Sequence, residues 1–138
     1  MLRICITSSG DNLKAQVNPR FGRCPYFLIV DAEEKKVEAV ENKGVQAARG
    51  AGIAAVQTIS DLGCSVVITG NVGPNAFYAL KTAGIKVYTG AFGKTCEEAL
   101  RDYNEGKLKE ASAETARGFG FGGGRGYGRG FGRGRSGR

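Results

Sequence analysis

The chain has 138 residues, a length that suits one domain with a hydrophobic core but not two. It contains no stretch of 18 apolar residues and no secretory signal pattern at its start, so we predict no membrane span and a cytoplasmic location. The absence of histidine and of any Cys-x-x-Cys pair excludes zinc fingers and Ser-His or Cys-His catalytic pairs.

The net charge of +7 is unevenly distributed along the chain. Residues 117–138 contain six arginines and no acid, whereas residues 1–116 contain 14 basic and 13 acidic residues, a net charge of +1. The sequence therefore describes a nearly neutral domain followed by a cationic tail. The domain alone gives no reason to expect nucleic-acid binding.

Strands dominate the first part of the chain. Apolar and β-branched residues predict a strand over 2–7 and two more over 26–31 and 36–42. A short charged turn joins the second and third strands, which favours an antiparallel hairpin. The loop over 19–25 has a proline at each end, which indicates a defined loop conformation.

Helices and strands alternate in the second part, a pattern that predicts parallel strands joined by right-handed crossovers. The run over 66–69 is entirely β-branched, as in a strand buried on both faces. The first of these elements is a helix over 50–62, whose apolar side carries Ile53, Val56, Ile59 and Leu62. The strand over 66–69 follows, and then a helix that begins at Pro74 and ends near 82. A strand over 85–89 comes next, and the last element is a helix over 95–104 that opens with a Thr95–Glu98 capping box.

The resulting order, β-β-β-α-β-α-β-α, predicts an α/β domain with a mixed five-stranded sheet. We assign residues 1–106 to this domain, 107–116 to a polar linker and 117–138 to the tail. The tail contains 11 glycines and no aliphatic residue. Because glycine loses much conformational entropy on ordering and nothing here can form a core, the tail is predicted to be disordered.

Ligands of such sheets bind beyond the carboxyl ends of the parallel strands, where the loops over 8–12, 70–75 and 90–94 are expected to meet. A strand, a glycine loop and a helix start form a cup of backbone N–H groups that favours anions. The alternative is that the residues of these loops bind no ligand and are ordinary turn residues and solvated charges. The candidate binding residues are Gly70, Asn71, Gly73, Asn75, Arg49, Gly50, Arg20 and Arg23.

The four cysteines, Cys5, Cys24, Cys64 and Cys96, are expected to be free thiols in a reducing compartment. Cys5 and Cys64 are predicted to be buried. Cys24 lies in the arginine-containing loop and is expected to be the most exposed, while Cys96 lies at a helix start that favours a thiolate. These last two are the candidate metal ligands. No carboxylate cluster is visible, so a non-enzymatic function is expected.

Three segments, 20–27, 50–54 and 67–76, resemble the dinitrogenase iron–molybdenum cofactor-binding family, and the resemblance covers about residues 1–110. It implies a three-layer, ribonuclease-H-like fold without nuclease activity, and an anionic metal–sulfur cluster bound near the loops named above. The Gly/Arg tail is similar to that of archaeal iron–sulfur storage proteins built on the same domain, which hold polymeric iron sulfide (thioferrate).

Two functions follow as hypotheses. In the first, the tail arginines act as a multivalent counter-ion for an anionic iron–sulfide polymer shared among copies, which produces large assemblies. In the second, the tail acts as an RGG-like segment of an RNA or DNA chaperone, with arginines on phosphates and aromatic rings stacked on bases. Both use the same arginines, which are Arg117, Arg125, Arg129, Arg133, Arg135 and Arg138.

Overall fold

The computed structural model describes residues 2–33, 36–43, 51–91 and 93–111, and the predictions for Arg49, Gly50 and the tail lie outside these ranges. Three helices and one sheet form the described domain. No helix in these ranges is long and apolar enough to cross a membrane. The elements are β1 (Arg3–Ser8), β2 (Tyr26–Asp31), β3 (Lys36–Glu41), α1 (Ala51–Asp61), β4 (Val66–Ile68), α2 (Pro74–Thr82), β5 (Lys86–Thr89), α3 (Cys96–Asn104) and β6 (Lys109–Glu110).

The sheet has the strand order β3-β2-β1-β4-β5-β6. Strands β1, β4 and β5 run parallel to one another, while β1 pairs antiparallel with β2 and β2 antiparallel with β3. This arrangement confirms the predicted α/β class, the hairpin and the parallel crossovers. It also places the carboxyl ends of β1, β4 and β5 side by side at one end of the sheet.

The sheet has six strands rather than the predicted five. Strand β6 lies in the segment predicted as a polar linker and pairs antiparallel with β5. Directly after it, the Ala111 N–H donates to the Val87 carbonyl oxygen at 2.7 Å. The prediction failed because a strand at a free sheet edge needs only backbone groups, and the exposed side chains of Lys109 and Glu110 give no apolar pattern.

Two hydrophobic clusters, one on each face of the sheet, give the fold its three layers. Helices α1 and α2 cover the face that contains Phe27 and Val67. Helix α3 covers the opposite face, which contains Ile6 and Ile68. Because both faces are covered, β1 and β4 are buried almost throughout, and this explains their unbroken apolar sequence.

One predicted core residue is on the surface. Ile53 is 47% exposed, whereas the buried residues of α1 are Ala51, Ala55, Val56 and Ile59. The spacing of apolar residues therefore correctly predicted a helix but wrongly placed Ile53 on its buried face. Small alanines, rather than Ile53, face the sheet and allow α1 to lie close to it.

Candidate functional site

Three loops meet beyond the carboxyl ends of the parallel strands. The Gly90 N–H donates to the Gly70 carbonyl oxygen at 3.1 Å, which joins the loops after β5 and β4. The loop over 19–25 joins the same group, because the Asn71 N–H donates to the Pro19 carbonyl oxygen at 2.8 Å and the Phe21 N–H donates to the Asn71 carbonyl oxygen at 3.2 Å. The expected meeting of loops at this edge is thus confirmed for the loops after β4 and β5. We call the region formed by residues 18–25 and 69–76 the loop cup.

Two buried threonine hydroxyl groups join the ends of β1 and β4 next to the loop cup. The Thr7 and Thr69 hydroxyl oxygens, at the ends of β1 and β4, are 2.8 Å apart, and Thr7 donates to the Asn18 carbonyl oxygen at 2.9 Å. Both threonines are fully buried. Since Thr7 has one proton, Thr69 supplies the hydrogen between the two hydroxyls. The sequence did not reveal this pair, because threonine in a strand looks like any other β-branched residue.

Glycines bring the starts of α1 and α2 against the loop. Gly22 has a φ of +97°, and a Cβ placed on it would lie 2.8 Å from the Gly52 Cα at the start of α1. A Cβ on Gly52 would in turn lie 3.0 Å from the Ala76 Cβ in α2. The backbone of the loop therefore contacts the backbone of α1, and α1 contacts α2, at distances that only small residues allow. Gly22, Gly52 and Ala76 were not among the predicted site residues.

A buried asparagine holds the 19–25 loop in place through hydrogen bonds from its side chain. Asn42 follows β3 and is 3% exposed. Its Nδ2 donates to the carbonyl oxygens of Gly22 and Cys24 at 3.1 and 2.8 Å. In the sequence Asn42 has the appearance of an ordinary turn residue, because its partners are about 20 positions away and nothing local indicates them.

Only some helix starts near this edge are open to an anion. At α3, the Thr95 hydroxyl and the Glu98 carboxylate form the predicted capping box, and the Cys96 and Glu97 N–H groups donate to backbone carbonyl oxygens. Helix α2 differs: within the described chain no side chain caps Gly73, Pro74 occupies the first turn, and that turn has no acid. The free N–H groups and the positive end of the α2 dipole therefore face the loop cup.

The predicted binding residues differ in accessibility. Gly70 is buried, Asn71 and Gly73 are half-buried, and Asn75 is exposed. Gly70 therefore shapes the loop, while the other three line its surface. Arg20 and Arg23 are exposed on the neighbouring loop.

A further cation near this edge is already neutralised. The Lys94 ammonium pairs with the Asp102 carboxylate, and this contact lowers the pKa of Asp102. Within the loop cup itself the charged side chains are those of Arg20 and Arg23, and residues 18–25 and 69–76 contain no acid.

The expectation of an exposed Cys24 is wrong. All four cysteines are free, as predicted, and all four are buried, which the sequence predicted only for Cys5 and Cys64. Burial raises the pKa of Cys24 to about 12, although nearby N–H groups and the Asn42 amide offset part of this effect. Burial also raises the pKa of Cys96, so the helix start does not favour its thiolate. Within the described residues no group of three Cys, Asp or Glu side chains is placed to hold a metal ion.

The buried thiols predict a stability that falls at alkaline pH. Burial raises the pKa of Cys64 to about 11, whereas the same thiol ionises near pH 9 in the unfolded chain. Above pH 9 the unfolded state therefore loses protons that the native state keeps. We expect the free energy of unfolding to be constant from pH 6 to 8 and to begin to fall as the unfolded-state thiols ionise near pH 9. Above pH 9 the slope should approach about 1.4 kcal/mol per pH unit for each such thiol.

Urea unfolding between pH 7 and pH 10 measures this effect. A Cys64→Ser variant provides the control, because its free energy of unfolding should fall less steeply with pH by the contribution of one thiol. An unchanged slope in that variant would show that Cys64 ionises equally in both states.

Comparison with known proteins finds a matching family model and similar solved structures. The family model described as "Dinitrogenase iron-molybdenum cofactor" matches residues 2–106. The apo form of the orange protein from Desulfovibrio gigas has a TM-score of 0.82 and 39% identity, covering 84% of this chain and 98% of that one. A NifB-like protein from Thermotoga has a TM-score of 0.75 and 42% identity, with the same coverage. An uncharacterised protein of Methanocaldococcus jannaschii is 34% identical over 98 residues, which are 69% of this chain and 82% of the relative.

Proposed function

The chain belongs to the dinitrogenase iron–molybdenum cofactor family, and we propose that it binds and stores iron and sulfide as an anionic iron–sulfur cluster or thioferrate-like polymer. Its similarity to this family and to the orange protein implies binding of a metal cluster or cofactor. The proposed function involves no catalysed reaction. The observation that carries the proposal is the open start of α2 in the loop cup. It offers N–H groups, a positive dipole end and two exposed arginines, but no acid.

Backbone donors suit a metal–sulfide anion of variable shape. Sulfide at the surface of such a cluster is an acceptor, and backbone N–H groups can donate to it without a thiolate ligand. The buried cysteines fit this mode of binding, since none of the four thiols is exposed to a ligand. Gly73, which is half-buried on the surface of the loop cup, leaves room for a ligand to approach the backbone closely.

The tail supplies a second and separate cationic element. Its six arginines carry almost all of the net charge of +7. The described chain reaches Ala111 after β6, which runs antiparallel to β5 and therefore away from the loop cup. We propose that the loop cup holds a small cluster while the tail collects polymeric iron sulfide from solution, and that several copies share one polymer.

Substitutions at Gly73 test the role of the loop cup. Gly73 is the N-cap of α2 with φ −78° and ψ 171°, a conformation open to any residue. Gly73→Asp should reduce affinity for an iron–sulfide anion, prepared from ferrous iron and sulfide without oxygen, by about tenfold, because its carboxylate occupies the N–H groups and repels the ligand. Stability should change by only a few tenths of a kcal/mol, roughly the effect of other glycine exchanges at N-caps.

Gly73→Asn is the matched control, since it offers a similar cap without a charge. It should lose less affinity than Gly73→Asp. Both variants belong in a full-length chain whose six tail arginines are replaced by serine, so that the tail does not mask the loss. If the parent chain and both variants bind the anion with equal affinity, the loop cup is not a binding site.

A further inference from the structure

An apolar groove lies between α1 and α2 on their outer surface. Its volume is about 370 Å³, and Ile53 and Tyr78 stand on its two sides. These side chains are 47% and 75% exposed, a large exposure for apolar residues of their size. The remaining lining residues carry no charge: they are Val56, Gln57, Ser60, Ala79, Thr82 and Ala83. Such a groove suits an uncharged ring better than an arginine.

The chain itself leads toward this groove. Strand β6 runs antiparallel to β5, and Ala111 packs against the core cluster beneath α1 and α2. At that point the chain runs toward the end of the sheet where α2 ends, and Thr82 and Ala83 line this end of the groove. The described chain thus ends at Ala111, on the side of the sheet that carries the groove.

The sequence beyond Ala111 offers suitable side chains. The large apolar residues of the tail are all aromatic, and the first two, Phe119 and Phe121, lie eight and ten residues beyond Ala111. Eight extended residues span roughly 27 Å, enough to pass over a single helix. Tethering at this range gives a local concentration on the order of millimolar, so that even a weak contact is populated.

We propose that the Phe119-Gly-Phe121 segment of the same chain docks in the groove between α1 and α2. Docking would fix the first part of the tail along the outer surface of α1 and α2. It would leave the arginines from Arg125 onward free for anions and would cover the Ile53 and Tyr78 side chains. This docking does not depend on bound iron, and its test uses the iron-free full-length protein.

The Ile53 Cδ1 methyl group is the natural probe, because a ring seated beside it shifts its NMR resonance. Replacing Phe119 and Phe121 together with serine should move this resonance and remove contacts between the methyl protons and phenylalanine ring protons. The matched control replaces Tyr127 and Phe131 with serine, which removes two rings farther along the tail. The control should leave the Ile53 signal in place.

Three results would overturn the proposal. The first is an Ile53 resonance that neither double variant moves. The second is a shift produced only by the control, which would assign the groove to a different part of the tail. The third is a shift that weakens on dilution, which would identify the occupant as the tail of a second copy.

Discussion

Replacing the six tail arginines with serine in the full-length chain is expected to abolish most of its capacity for iron sulfide. The six are Arg117, Arg125, Arg129, Arg133, Arg135 and Arg138, and their removal lowers the net charge from +7 to +1. If each exposed arginine contributes about 0.5 kcal/mol to polymer binding, the six contribute about 3 kcal/mol, a factor of more than 100 in affinity. Large assemblies should disappear together with the loading. Iron and sulfide per chain, with particle size by light scattering, measure both effects.

A variant with six lysines in place of the arginines separates charge from hydrogen bonding. Lysine keeps the charge but lacks the planar guanidinium and its weaker hydration. If attraction is purely Coulombic, the lysine variant should retain most of the loading and lose it as salt is raised. We expect a partial loss already at low salt, because guanidinium N–H groups also donate to sulfide. Full loading in the serine variant would contradict any storage role of the tail.

Replacing Gly22 with alanine is expected to destabilise the domain by about 3 kcal/mol or more. The φ of +97° strains any side chain, and the new Cβ would lie within 3 Å of backbone atoms of Gly52, which cannot move without shifting α1. Loop and helix would separate, and the Asn42 hydrogen bonds to this loop would be disturbed. Urea unfolding measures the loss as a lower midpoint.

Gly84 provides the matched control for this prediction. It has a φ of +77°, but a Cβ there would meet no atom within 4 Å. Gly84→Ala should therefore cost only the strain of the left-handed conformation, about 1 kcal/mol. Equal losses in the two variants would show that the close approach of Gly22 to α1 has no energetic importance.

The sequence predicts most elements of this fold because local patterns carry the information. The β-branched run before Gly70 and the Pro74 start indicate β4 and α2, and both lie where expected. The Thr95–Glu98 capping box indicates the start of α3 within one residue. Strand β6 escaped prediction because edge pairing with β5 depends on backbone groups, which no pattern of side chains records.

The candidate site was harder to predict, because long-range contacts define it. Cys24 lies in a polar loop, which suggests exposure, yet Asn42 from the end of β3 holds that loop against the domain and the thiol is buried. Gly22 and Gly52 are 30 positions apart in the sequence, so their close approach is visible only once α1 lies beside the loop. The loop after β4 could be predicted because strand, glycine and helix start follow one another directly.

The topology leads the described chain away from the loop cup. The loop cup lies at the carboxyl ends of β1, β4 and β5, whereas β6 carries the chain toward the opposite end of the sheet.

The most direct test of the proposed function is the iron and acid-labile sulfide content of the full-length protein purified without oxygen. We predict a brown protein that contains both elements in comparable amounts, with several irons per chain and little absorbance from nucleic acid. A colourless protein without iron or sulfide, whose high absorbance at 260 nm is removed by salt, would contradict the proposal and favour the RNA- or DNA-binding alternative.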